Sequence, residues 1–381
     1  MKKVIYSILF LFINLSLFCQ KQVGFKLDKE ISLNLTNNLP DDIEAVKIFG
    51  YEGKWQNNQF YFQALNSKKN KIYEARASTS GELNWNIIDL LFPKEFKNRI
   101  PKQMKSYYAD DNFFIYDYNT SFVFLFDTLG NLLLNKQLVK DNSYIPLNFS
   151  SGLPFYKSQA AFCTAYDTQV DSNYFKKGFG VIFNFKNINN PFLKKLNIQF
   201  PSNYQKGNTF GFPWFRLNWT AKYNLCCNFE ANDTLFVYNS KGKFLFKKNA
   251  GSKTNPIFIK EDKQKRHLIS YSMKYNYKSP AYLRMVFDPY RKLYYRLFKF
   301  PFQLDENSIN AVSTKDFTWS LIILDKNLEV IGEEIFPTFR GITMPFQIIP
   351  TPEGVWISHY SLSDLKNKET LKLGLYKIIE K

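Results

Sequence analysis

Runs rich in Phe, Tyr, Ile, Val and Leu, interspersed with polar residues, alternate along the chain with clusters of Asn, Asp, Gly, Lys and Ser. That pattern predicts short β-strands joined by turns. Helical periodicity is scarce; Trp85–Phe92 is its best example, limited by Pro93. One unit recurs: a strand ending in Asp or Asn, a tight turn, then a second strand. Val123–Leu134 and Leu235–Phe246 are the clearest copies, Met285–Tyr295 and Leu321–Ile331 follow, and Ile72–Leu83 and Gly180–Phe185 are weaker ones. A terminal Asp or Asn bonds the backbone two residues on, and Gly supplies the positive φ of a hairpin. Counted at Ser78, Asp127, Asn184, Asn239, Asp288 and Asp325, the spacings are 49, 57, 55, 49 and 37 residues.

A repeat near 50 residues that holds about four short strands is the mark of a β-propeller blade. The C-terminal run Leu371–Ile379 supplies a seventh candidate, with no strand after it. The run Val23–Leu35 is a strand with no local partner. Pairing the two closes a ring and removes both exposed edges. The expectation is an all-β, single β-propeller closed by its N- and C-terminal strands. Seven blades are favoured, with six as the alternative because the 37-residue interval is short. The rival architecture is two β domains split near Pro201.

The N-terminus carries an address. Met1-Lys2-Lys3 precedes an apolar run from Val4 to Phe18, matching the cationic and apolar regions of a secretory signal. That run is shorter than the roughly 20 residues of a permanent membrane helix. Residues 1–19 are therefore expected to be a signal peptide and residues 20–381 the propeller domain. Cys19 directly follows the run and is the expected lipidation site of a bacterial lipoprotein, although Phe18 stands where a small residue is usual. The other reading is cleavage near Gln20, giving a periplasmic or secreted protein. The expected location is the cell envelope, as an outer-membrane lipoprotein in the first case.

Lys and Arg number 51 against 33 Asp and Glu, a formal net charge of +18, and aromatics reach 18%. Lys68–Lys71, Lys176-Lys177, Lys247-Lys248 and Lys263–Arg266 are the densest basic runs. They suit anionic lipid or glycan, or simple solvation. Lys dominates over Arg, which argues against bidentate phosphate recognition, and no nucleic-acid partner is expected.

Chemistry-bearing patterns are few. His267 and His359 stand alone, without ligands at metal spacing. Cys163, Cys226 and Cys227 leave at least one thiol unpaired, and adjacent strand residues face opposite ways, so at most one of Cys226 and Cys227 can meet Cys163. No Gly-x-Ser-x-Gly elbow or phosphate loop occurs. Asp110-Asp111 and Glu333-Glu334 are carboxylate pairs in contexts that read as turn-like or exposed. Phe212–Trp219 and Tyr290–Arg296 interleave aromatics with Arg, for packing between blades or for stacking sugars. No catalytic residue, metal site or cofactor is assigned, and the ligand-binding residues and oligomeric state stay open.

Asp288-Pro289-Tyr290-Arg291-Lys292-Leu293-Tyr294-Tyr295-Arg296, with Gly374-Leu375-Tyr376 near the C-terminus of an exported chain, resembles domain-of-unknown-function family 4221. The resemblance implies an exported, often lipidated, β-propeller-like protein of Bacteroidota and transfers no site. The expected function is a binding or scaffold protein with an unknown envelope protein or glycan as partner. The alternative is a glycan-active hydrolase or lyase with carboxylates at the propeller channel.

Overall fold

The computed structural model describes residues 22–34, 40, 53–93, 104–109, 112–117, 122–138, 144–147, 155–156, 158–166, 180–196, 198, 200–205, 215–260, 275, 278–301, 318–336, 347–358 and 370–381. Successive antiparallel strands form four separate sheets. The first holds Lys54–Gln56, Gln59–Asn66, Lys71–Ala77 and Leu83–Asp89; the second holds Met104–Ala109, Asn112–Asp117, Phe122–Phe126 and Leu132–Gln137. In the third, Tyr144–Leu147 and Phe155–Tyr156 both pair with Gln159–Tyr166, followed by Gly180–Asn184 and Phe192–Leu196. The fourth holds Phe215–Trp219, Leu225–Phe229, Thr234–Tyr238 and Phe244–Asn249.

An eight-stranded sheet supplies two more units. Ala281–Asp288, Leu293–Lys299, Trp319–Leu324 and Val330–Phe336 form the fifth blade. The sixth joins Ile348–Pro350, Val355–Ser358 and Thr370–Glu380 to the N-terminal strand Val23–Asn34. A single parallel bridge, Val23 to Gly332, merges the two units.

The N- and C-terminal strands run antiparallel from Val23↔Glu380 to Asn34↔Thr370, and the Lys381 amide donates to the Gln22 carbonyl at 2.8 Å. A register shift between Leu27 and Lys29 places an extra residue, Asp28, in the N-terminal strand. The bulge reverses which side of the sheet later residues face. Phe25 therefore packs toward the fifth blade, while Leu33 packs toward the first.

Six hydrophobic clusters complete the ring, one between each pair of neighbouring blades. Ile72 and Phe113 belong to the cluster between the first two, Phe114 and Phe183 to the next, and Ile182 and Leu217 to the third. Leu235 and Tyr294 represent the fourth to fifth, Leu321 and Val355 the fifth to sixth, and Phe60 and Leu373 the sixth back to the first. The inner strands are thus packed on both faces away from water, the dominant favourable term in such a fold.

The described residues fall into six sheet units, five of four strands and the third of five. The Asp288 and Asp325 turns, 37 residues apart, both lie in the fifth blade: one joins its first two strands, the other its last two. Trp85–Phe92 also differs from its helical reading, since Leu83–Asp89 pairs along its length with Lys71–Ala77. The ladder outweighs a weak local period.

The recurring turn works as its chemistry predicts. Asp127 Oδ1 accepts the Leu129 and Asn131 amides at 2.9 and 2.8 Å; Asn239 Oδ1 accepts those of Lys241 and Lys243, both at 2.9 Å. Asp325 repeats the pair with Asn327 and Glu329. The fourth turn position has positive φ: Gly81, Gly130, Gly242 and, without glycine's freedom, Leu328. These turns seat on the outer strand or strand end of the preceding blade. The Leu91 amide donates to the Gly130 carbonyl at 3.0 Å, and a Cβ at Gly242 would meet Leu196.

Candidate functional site

Antiparallel four-stranded blades place two kinds of connection at opposite ends. Between first and second strands, and between third and fourth, most connections are short, as at 57–58, 78–82, 127–131, 220–224, 239–243, 289–292, 325–329 and 351–354, while the third blade has the longer 148–158 and 185–191. The other end carries the second-to-third connections and the blade-to-blade crossings. Those include 35–53, 90–103, 167–179, 197–214, 250–280, 300–318, 337–347 and 359–369. Long connections on a rigid scaffold are where binding residues concentrate.

Several sequence candidates fall in those long connections and lie outside the described residues: His267, His359, Lys176-Lys177, Lys263–Arg266 and Phe212–Trp214. Cys19 and Asp110-Asp111 are also outside them. Cys163 occupies a strand opposite Gly180, with its side chain outside the described set. Cys226 and Cys227 are buried. Burial pushes the Cys226 thiol up to about 12, so it is an inert core group.

Glu333 and Glu334 do not form an exposed catalytic-type pair. As successive strand residues they serve different neighbours. Glu333 accepts from Ser252 Oγ (2.7 Å), Ser320 Oγ (2.6 Å) and the Lys253 amide (2.7 Å), pinning the crossing from the fourth blade. Glu334 accepts from Lys381 Nζ at 2.6 Å and the Phe25 amide at 3.2 Å, pinning the closure. Lys68 and Lys69 are exposed, as is Lys247, while Lys248 pairs with Glu329.

The Asp288–Arg296 segment is an internal brace. Buried Asp288 accepts the Tyr290 and Arg291 amides on Oδ1, and Tyr295 Oη (2.6 Å) and Arg291 Nη1 (3.0 Å) on Oδ2. Arg291 also donates to the Thr351 and Pro352 carbonyls of the sixth blade, both at 2.9 Å. On the other side Tyr294 Oη accepts the Ala221 amide at 2.6 Å. Fully buried Arg296 donates from Nε and Nη2 to Asn228 Oδ1, from Nη1 to the Asp233 and Ala250 carbonyls, and from Nη2 to the Asn232 carbonyl. Its guanidinium lies 3.6 Å from the Tyr282 ring centroid. Burial lowers it to about 10, so it stays charged at neutral pH. Leu217 and Trp219 are likewise buried in packing between blades.

A second cluster sits at the long-connection end, between the fourth and fifth blades. Arg216 begins a first strand, Glu230 follows a second strand, and Lys299 ends the second strand of the next blade. Arg216 Nη2 stands 3.6 Å from Glu230 Oε1. Burial raises the Glu230 carboxyl to about 6 against the pull of Arg216 and Lys299, and burial lowers Lys299 to about 8. No sequence signal marks this trio; the residues come from three strand ends spread across 216–299, with no common spacing.

The cluster makes a pH prediction. Between about 4.5 and 6 the folded Glu230 holds a proton that the unfolded chain has released. Its stabilising contribution is thus present below the unfolded value and lost as pH rises through about 6. Relative to Glu230→Gln, the wild type should lose about 1–2 kcal/mol of unfolding free energy between those limits. Denaturant titrations at several pH values check this; parallel pH profiles would remove the assigned role.

The family model described as domain of unknown function (DUF4221) matches residues 56–335. A crystal structure of a member of that family from Bacteroides vulgatus is similar at TM-score 0.70 and 16% identity, covering 95% of this chain and 100% of that one. A Bacteroides fragilis protein named as exported is similar at TM-score 0.51 and 12% identity, covering 94% and 95%. No functionally curated protein matches the sequence.

Proposed function

The chain belongs to the DUF4221 family, and on that premise we propose that it is an exported binding or scaffold protein of the cell envelope. Its ligand, an envelope protein or glycan, meets the end of the ring that carries the long connections. The observation that carries this reading is the asymmetry of the two ends: mostly turns of a few residues at one, and crossings such as 250–280 and 300–318 at the other. The cationic and apolar leader supports export, as does the name of the Bacteroides fragilis neighbour. Acylation of Cys19 would anchor the ring to a membrane.

A glycan-active enzyme is the second reading, favoured by one observation: Glu230, with its raised carboxyl, lies at that same end. Glycosidases use two facing carboxyl groups, whereas the charged groups acting on Glu230 are the cations Arg216 and Lys299.

The test is capture from a glycan array and from envelope extracts by residues 20–381. Replacing 302–317 and 359–369 with short Gly-Ser links should abolish specific capture, and changing the 78–82 turn should leave it intact. Capture that survives loss of both long connections would refute the placement. Sugar release that Glu230→Gln abolishes would establish the enzyme instead.

A further inference from the structure

The outer strand of the fourth blade differs from the others. In Phe244–Asn249 every residue but Lys248 is exposed, whereas each other outer strand buries at least one side chain. A register shift near Val237/Tyr238 leaves Leu245 as an extra residue, and such a bulge twists a strand away from its sheet. Three consecutive apolar side chains result, Phe244, Leu245 and Phe246, exposed by 47, 42 and 42%. Exposed Lys241, Lys243 and Lys247 flank them.

We propose that this ridge, Lys241 to Lys248, docks on an anionic phospholipid surface. Apolar tips ringed by lysines combine insertion at the headgroup boundary with attraction to negative lipid. Consecutive exposed apolar side chains flanked by lysines match the apolar–anionic boundary of a bilayer. Lysines on an edge strand also oppose addition of another strand.

A separate observation agrees. Lys253, four residues past the ridge strand, donates from Nζ to Gln22 Oε1 at 3.3 Å. Gln22 thus contacts the crossing that follows the ridge strand, on the rim of the ring. Cys19 lies three positions before Gln22, a reach of about 10 Å at full extension. Here the inference leans on the proposed acylation of Cys19: an anchor so close would press this rim onto the headgroups.

Flotation of residues 20–381, which contain every strand of the ring, tests the ridge without the anchor. Phosphatidylcholine vesicles with and without phosphatidylglycerol are the probe. Binding should require the anionic lipid and fall with salt. Phe244→Ser with Phe246→Ser, and separately Lys243→Glu with Lys247→Glu, should each weaken it about tenfold or more, with melting temperature unchanged. No binding, equal binding to neutral vesicles, or indifference to both pairs would overturn the proposal. The anchor is read apart, by membrane fractionation of Cys19→Ala in cells, so either idea can fail alone.

Discussion

Arg296→Met is expected to lower the unfolding free energy by about 3–5 kcal/mol, the sum of several acceptors left without this donor at about 1–3 kcal/mol each. Arg296 is completely buried, and its fork feeds Asn228 Oδ1 and the carbonyls of Asn232, Asp233 and Ala250. A methionine fills much of the volume but donates nothing, so four acceptors lose the guanidinium at once, while the Asp233 carbonyl keeps a second donor, the Ala250 amide. The Tyr282 ring loses its cation as well. Arg296→Lys should recover only part of the loss, because a point ammonium cannot span acceptors placed for a planar fork. Urea midpoints of the three proteins decide the matter. A loss under about 1 kcal/mol for the methionine variant would mean the brace is incidental to stability.

Removing residues 20–34 should leave no soluble monomer. The deletion strips the partner from Thr370–Glu380, takes Phe25 out of one core and Leu33 out of another, and opens the ring. Each buried side chain alone is worth about 2–5 kcal/mol, against a total margin of about 5–15 kcal/mol for a typical domain. A permutant that joins Lys381 to Gln22 through a short linker and opens at the 78–82 turn should fold, since the two ends already meet through a backbone hydrogen bond. Size-exclusion chromatography and melting curves of the two proteins provide the contrast. A stable monomer after the deletion would show that closure is dispensable.

The turn chemistry was legible because it is local. Asp127, Asn239 and Asp325 each announce their hairpin within five residues, and the lone strand at Val23 pointed to a partner at the far end. The repeat is harder to read at Asp288, whose side chain also caps a turn and so resembles the others in sequence. What distinguishes it is position, since it joins the first two strands of its blade, and a single turn does not reveal its place in a sheet. The Arg216, Glu230 and Lys299 cluster was illegible for a related reason. It exists only once two blades are packed side by side. Glu333-Glu334 read as an acidic pair, yet the pleat sends the two carboxylates to different neighbours.

The latch also sets an order of events. The strand made first waits for the strand made last, because Val23–Asn34 finds its antiparallel partner in Thr370–Glu380. While the chain emerges from the ribosome, or threads through a translocation pore, earlier blades can form their hairpins but the circle cannot shut. Contacts that distant in sequence come late and slowly in folding. Such a polypeptide cannot complete its ring until Thr370–Glu380 has been made, so its closed form belongs to the far side of any pore it crosses.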